Sequence, residues 1–159
     1  MLRMTDDAVT IGVIRRLLIA ILLIGMIGTA VELLLLDHDE DVTQLIPLML
    51  IVAGIAVVLW NAVGRARVSV VAVQIVMVLF VASGLLGMYF HYAASVEFQH
   101  EMDPALSGRA LWWKVLRAKA PPALAPGTMI QLGLIGLACA YRQPAVSLRN
   151  SLEENRYES

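Results

Sequence analysis

Glu32 is the one acid inside the long apolar runs of this chain, and His91, Gln131 and Thr128 lie at similar depth near the ends of two other runs. An ionisable group among apolar residues of membrane-spanning length is a candidate for function, because leaving it there is costly. In a low-dielectric setting a Glu and a His can share a proton, bind a metal ion, or fix helix register through one buried hydrogen bond. Gln131 and Thr128, one turn apart, would add an amide and a hydroxyl for a small ligand. A second group follows His91 in the chain. Glu97-Phe98-Gln99-His100 has the Glu-x-x-His spacing that puts two metal ligands on one helical face, with Glu101 one turn from Glu97. A dinuclear iron site needs two such motifs and two further glutamates. The chain holds one motif, so these residues would suit a mononuclear site completed by His38 or the acids at 37–41. A solvated helix face is the alternative for the same residues.

Other chemistries are excluded or disfavoured by count. A single cysteine, Cys139, allows no intramolecular disulfide, no Cys-x-x-Cys pair and no thiolate cluster for zinc. Haem is not expected, since of His38, His91 and His100 only His91 falls within an apolar run and axial ligation across a bundle needs a facing pair. A metal ion therefore stays open as a cofactor, and no catalytic constellation emerges from the residue types.

The elements that must position these groups follow from composition. Of 159 residues, 59% are apolar before glycine is counted and only 16% are charged, at a net charge of −1. A soluble domain has about 45–50% apolar residues with glycine included and about 25% charged. No soluble interior of this size hides so much apolar surface, and nothing in the charge attracts nucleic acid. A helix crossing the hydrocarbon core needs about 20 apolar residues. The runs at about 14–36, 44–63, 68–92 and 125–142 predict four spans. Pro47 and Pro126 are read as first-turn prolines, where a missing N–H is harmless. Asn61 and Gln74 face each other across the Gly64-Arg65-Ala66-Arg67 turn and are expected to hydrogen-bond to one another or to backbone.

Flanking charge sets orientation. Arg3, Arg15, Arg16, Arg65, Arg67, Arg142, Arg149 and Arg156 fall on one side; Arg109, Lys114, Arg117 and Lys119 fall on the other, with the acidic turn at 37–41. Both termini are thus expected in the cytoplasm. Neither proline nor glycine interrupts residues 88–102, so the third span should run on as helix to about Met102, placing Glu101 about 15 Å beyond His91. Asp103 as cap and Pro104 at the first position predict a short helix over 105–119, carrying Trp112 and Trp113 as anchors at the membrane interface. Gly25, Gly28 and Thr29 lead up to Glu32, and Ser83, Gly84 and Gly87 lead up to His91. Such stripes of small residues let membrane helices pack closely, and if the two face each other, Glu32 meets His91.

The stretches Gly28-Thr29-Ala30-Val31-Glu32-Leu33-Leu34-Leu35-Leu36, His91-Tyr92 with Glu97-Phe98, and Pro126-Gly127-Thr128-Met129-Ile130-Gln131-Leu132-Gly133-Leu134 resemble segments of small bacterial four-span integral membrane proteins. The likeness runs from the first span to Pro144. It implies a bacterial inner-membrane location and four spans, and brings no activity with it. In span number the chain is also similar to the small multidrug exporters, but those are shorter, hold their membrane glutamate deeper and lack this long outer loop.

The expected fold is all-α: an antiparallel four-transmembrane-helix bundle over residues 1–144, with an external loop at 93–124 and a flexible cytoplasmic tail at 145–159. Two functions of different class remain. One is an accessory or scaffolding subunit packing within a larger membrane complex or a homo-oligomer. The other is a small binding or transport protein built on Glu32, His91 and Gln131, with Glu97, His100 and Glu101 at its mouth.

Overall fold

A computed structural model describes residues 2–35, 42–64, 66–117 and 124–141. Among them the chain is entirely helical, in five elements: α1 (Leu2–Leu35), α2 (Val42–Gly64), α3 (Arg67–Met102), α4 (Gly108–Leu116) and α5 (Leu124–Ala140). Three stretches, Val9–Leu35, Gln44–Gly64 and Arg67–Met102, are long and apolar enough to cross a membrane. α5 is equally apolar in character but has 17 residues, about 25 Å of rise. His38, the acidic turn at 37–41 and the tail at 145–159 lie outside the described residues.

α3 is unbroken over 36 residues, as the absence of proline and glycine past Met88 requires. It stops where Asp103 turns the chain. The Asp103 carboxylate accepts from the Ala105 N–H at 3.2 Å, and the Asp103 carbonyl accepts from the Leu106 N–H at 3.0 Å. This turn uses Asp103 and Pro104, so the following helix starts at Gly108, with φ of 60°, and not at Ala105. Glycine adopts that backbone at no steric cost. A second correction concerns Pro47. α2 begins at Val42, which puts Pro47 in the second turn, where it removes the donor for the carbonyl four residues earlier. Pro126 is the third residue of α5 and does fall in a first turn.

α1 packs on α2 and α5, and α3 packs on α2 and α5, closing a cycle of four helices; α4 folds back onto α3. At mid-depth the interior is filled by Leu22 and Met26 of α1, Ile51 of α2, and Met77 and Phe80 of α3, all with essentially no exposure. Close approach depends on glycine. A Cβ on Gly54 would stand 3.0 Å from Met26 Sδ and from the Phe80 ring, and one on Gly133 would stand 2.7 Å from the Met77 carbonyl oxygen. The tightest seam is α3 against α5. Gly87 meets Pro126, Gly84 meets Pro126 and Ile130, and Gly133 and Gly136 meet Met77, so numbering falls along α3 as it rises along α5. Lipid tails are as apolar as leucine, so such van der Waals contact, not hydrophobic exclusion, holds membrane helices together.

Polar contacts pin one end of the cycle. The Ser69 hydroxyl donates to the Ala66 carbonyl at 2.8 Å and lies 3.1 Å from Asn61 Oδ1, both side chains being buried. Asn61 therefore pairs with Ser69 and not with Gln74, which is exposed. The reason is one of facing: Ser69 and Val73 lie on the buried side of α3 and Gln74 does not. Nearby, Arg15 Nη2 donates to the Tyr141 carbonyl at 3.1 Å, supplying a donor just past the end of α5, where carbonyls lack intrahelical partners.

Candidate functional site

The opposite end of the cycle is open. Both small-residue faces of α3, Gly84 and Gly87, are occupied by Pro126 and Ile130 of α5. α3 is thereby drawn toward α5, while contacts of α2 with α3 include the Asn61–Ser69 end and the Phe80–Gly54 approach. Beyond Phe80 a groove of about 620 Å³ remains between α1, α2, α3 and the start of α5. Thr29 and Leu33 line one side, Gln44, Pro47 and Leu50 another, and Ser83, Gly87, Phe90 and His91 the third. Its lining is mainly apolar. Among the described residues the buried Oε1 atom of Gln44 has no hydrogen-bond partner.

The expected meeting of Glu32 and His91 does not form. His91 lines the groove, whereas Glu32 is exposed on the outer flank of α1. At 100° per residue, Thr29 and Leu33 are turned about 60° and 100° away from Glu32, and both of those face inward. Gly28 lies about 40° from Glu32 on the exposed side, with nothing within 4 Å of a Cβ built there, while Gly25 meets Leu132 of α5. The glycines of the two stripes therefore address α5 and the exterior, while Thr29 and Ser83 line different walls of the groove. Among the described residues no hydrogen bond or ion pair joins Glu32 to any group.

The other candidates are scattered. Gln131 is exposed on α5, and the Thr128 hydroxyl donates to the Leu124 carbonyl of its own helix at 3.2 Å. Neither lines the groove. Glu97, His100 and Glu101 are exposed on the extension of α3, and among the described residues no group of three or more His, Cys, Asp or Glu side chains converges to hold a metal ion. His38 lies outside those residues. The Ser95 hydroxyl donates to the His91 carbonyl at 2.7 Å, so this polar stretch satisfies part of its bonding within the helix.

α4 keeps Leu111 and Val115 buried against α3 and leaves Trp112 and Trp113 about half exposed. The two indoles meet edge to face at 5.3 Å, and the Arg117 guanidinium sits 5.0 Å from the Trp113 ring centre. Trp113, placed among cations by the sequence, thus uses one of them in a cation–π contact.

Sequence reasoning missed Gln44 and the groove. The signal was present: Gln44 opens the second apolar run, opposite the small residues that precede His91. The chain matches no protein-family model, no curated protein and no solved structure.

Proposed function

We propose that this chain is an accessory or scaffolding subunit of the bacterial inner membrane, a four-span antiparallel bundle with both termini cytoplasmic, which packs against a larger membrane complex or its own copies through the outer face of α1. The observation that carries this reading is the placement of Glu32 and Gly28. The only acid of the apolar runs lies on the exterior of the helix cycle, one turn from a glycine with open space beside it. A carboxylate facing lipid costs up to roughly 2.5–3.5 kcal/mol at the centre of a span and less toward its end. A neighbouring helix offering a donor at that depth removes the cost, and Gly28 lets its backbone approach. The four-span reading is supported by the apolar character of α5 and its seam with α3; its length of about 25 Å against a core of about 30 Å calls for tilt or local thinning.

The transport alternative has less support. Leu22, Met26, Met77 and Phe80 fill the middle of the bundle, and among the described residues no chain of polar groups runs from His91 to Asn61 and Ser69. The test uses a Cys139→Ser background with a benzophenone photo-crosslinker attached at Ile21→Cys, an exposed position on the face of Gly28 and Glu32 that leaves Gly28 intact, in native membranes. A discrete adduct is expected from this position and none from Ile27→Cys, about 120° round the helix. Glu32→Ala should reduce the adduct at least about fivefold, the loss of one interhelical hydrogen bond. Equal capture at both positions, or capture indifferent to Glu32, would sink the proposal.

A further inference from the structure

We infer that the groove at the open end of α2 and α3 holds one hydrocarbon chain of a membrane lipid whose head group carries an N–H or O–H donor, with Gln44 Oε1 accepting that hydrogen bond. The inference is independent of any partner at Glu32; it rests on the proposed topology only for naming the leaflet as the outer one.

Three observations carry it. First, the space opens sideways. Ile46, Leu79, Leu86 and Phe90 of its lining are all exposed, so its side faces lipid, while the packed layer of Phe80 and Met26 against Gly54 fills the bundle further along. Second, its volume of about 620 Å³ falls within the roughly 300–1,000 Å³ of sites that bury small ligands, a scale that suits a single hydrocarbon chain. Third, the polar end is incomplete. Among the described residues Gln44 Oε1 is buried without a donor, an arrangement rare in folded proteins unless another group completes it. Gln44 lies in the first turn of α2, and His91 lies on the same rim from α3. Both sit at the level a head group occupies when its chain lies along Pro47, Leu50 and Ser83.

Packing explains why the chain would stay. An unfilled apolar space loses dispersion contacts along its whole lining, and an acyl chain restores them.

The full-length protein, exchanged in micelles against dioleoyl phosphatidylethanolamine or dioleoyl phosphatidylcholine, would be examined by native mass spectrometry. The two lipids share their chains, but only the first carries an N–H donor. One retained lipid per chain is expected, with the ethanolamine lipid favoured about fivefold, as one net hydrogen bond allows. Gln44→Leu should abolish that preference while retaining a lipid. Ser83→Phe and, as an independent filler on the same wall, Ala82→Phe should abolish retention, with circular dichroism reporting on the fold. The inference is overturned by a wild-type chain that retains no lipid, by equal retention of both lipids, by retention indifferent to a folded filler variant, or by fillers that displace a polypeptide in place of lipid. None of these results bears on the crosslinked adduct on the outer face of α1, so the two proposals fail separately.

Discussion

Replacing Gly84 by alanine should weaken the bundle, while the same change at Gly28 should not, although both glycines lie inside long helices. Helix propensity treats them alike, since alanine is favoured over an interior glycine by about 0.5–1 kcal/mol. Their surroundings differ. A Cβ on Gly84 would stand 2.6 Å from the Pro126 carbonyl oxygen and 3.0 Å from the Ile130 nitrogen, both backbone atoms of α5, and 2.6 Å from Ile130 Cγ1; on Gly28 it meets nothing within 4 Å. Ordinary contact begins at 3.4 Å, so the first of these distances is about 0.8 Å too short (3.4 − 2.6) and the helices must part by a comparable amount. A gap of about 0.5–1 Å forfeits a quarter to a half of each dispersion well along the opened seam, and overpacking of this kind costs about 1–3 kcal/mol. Less the propensity gain, Gly84→Ala should be destabilised by about 1–2 kcal/mol and Gly28→Ala stabilised by about 0.5 kcal/mol. Gly133→Ala should follow Gly84, because Met77 backbone opposes it at 2.7 Å, whereas Gly25→Ala should be milder, because its obstacle is the tip of the Leu132 side chain. Titrating dodecyl sulfate into mild-detergent micelles and following helicity gives the unfolding midpoints. Coincident midpoints for Gly84→Ala and Gly28→Ala would refute the seam as the origin of stability.

Further outcomes follow from other contacts. Ser69→Ala should cost about 0.5–1.5 kcal/mol, because it removes a buried hydrogen bond between α2 and α3, and Gln74→Leu, exposed to lipid, should be neutral or better in the same titration. Arg117→Gln should change stability by less than about 1 kcal/mol yet shift the tryptophan emission, since the guanidinium sits over Trp113; an unchanged spectrum would argue against the stacked geometry. Glu32→Gln and His91→Ala should behave independently in a double-mutant cycle, with coupling below about 0.5 kcal/mol, whereas a buried pair would couple strongly.

The helices were legible because their signals are one-dimensional. Uninterrupted apolar length places α2 and α3 to within two residues, and the proline- and glycine-free stretch after Met88 carries α3 to Asp103. The facing of groups was harder to read. Gly25, Gly28, Thr29 and Glu32 share a stripe about 100° wide, and the boundary between interior and exterior runs through it: Gly25 and Thr29 face in, Gly28 and Glu32 face out. Spacing of three and four cannot say on which side of that boundary a residue falls. Nor do small residues name their partner. Gly84 and Gly87 announce a close approach, but that it comes from α5 and not α1 depends on how all four helices close. The 105–119 helix was displaced because a turn at Asp103-Pro104 and a helix start have the same residue preferences.

The unbroken length of α3 gives the molecule a lever. One wall of the groove and the exposed Glu97, His100 and Glu101 belong to a single rod of about 54 Å, with no hinge between them. Pivoting that rod by about 10° at His91 swings a point about 15 Å beyond it by roughly 3 Å, so any tilt of the groove wall is carried to the charged tip of the same helix.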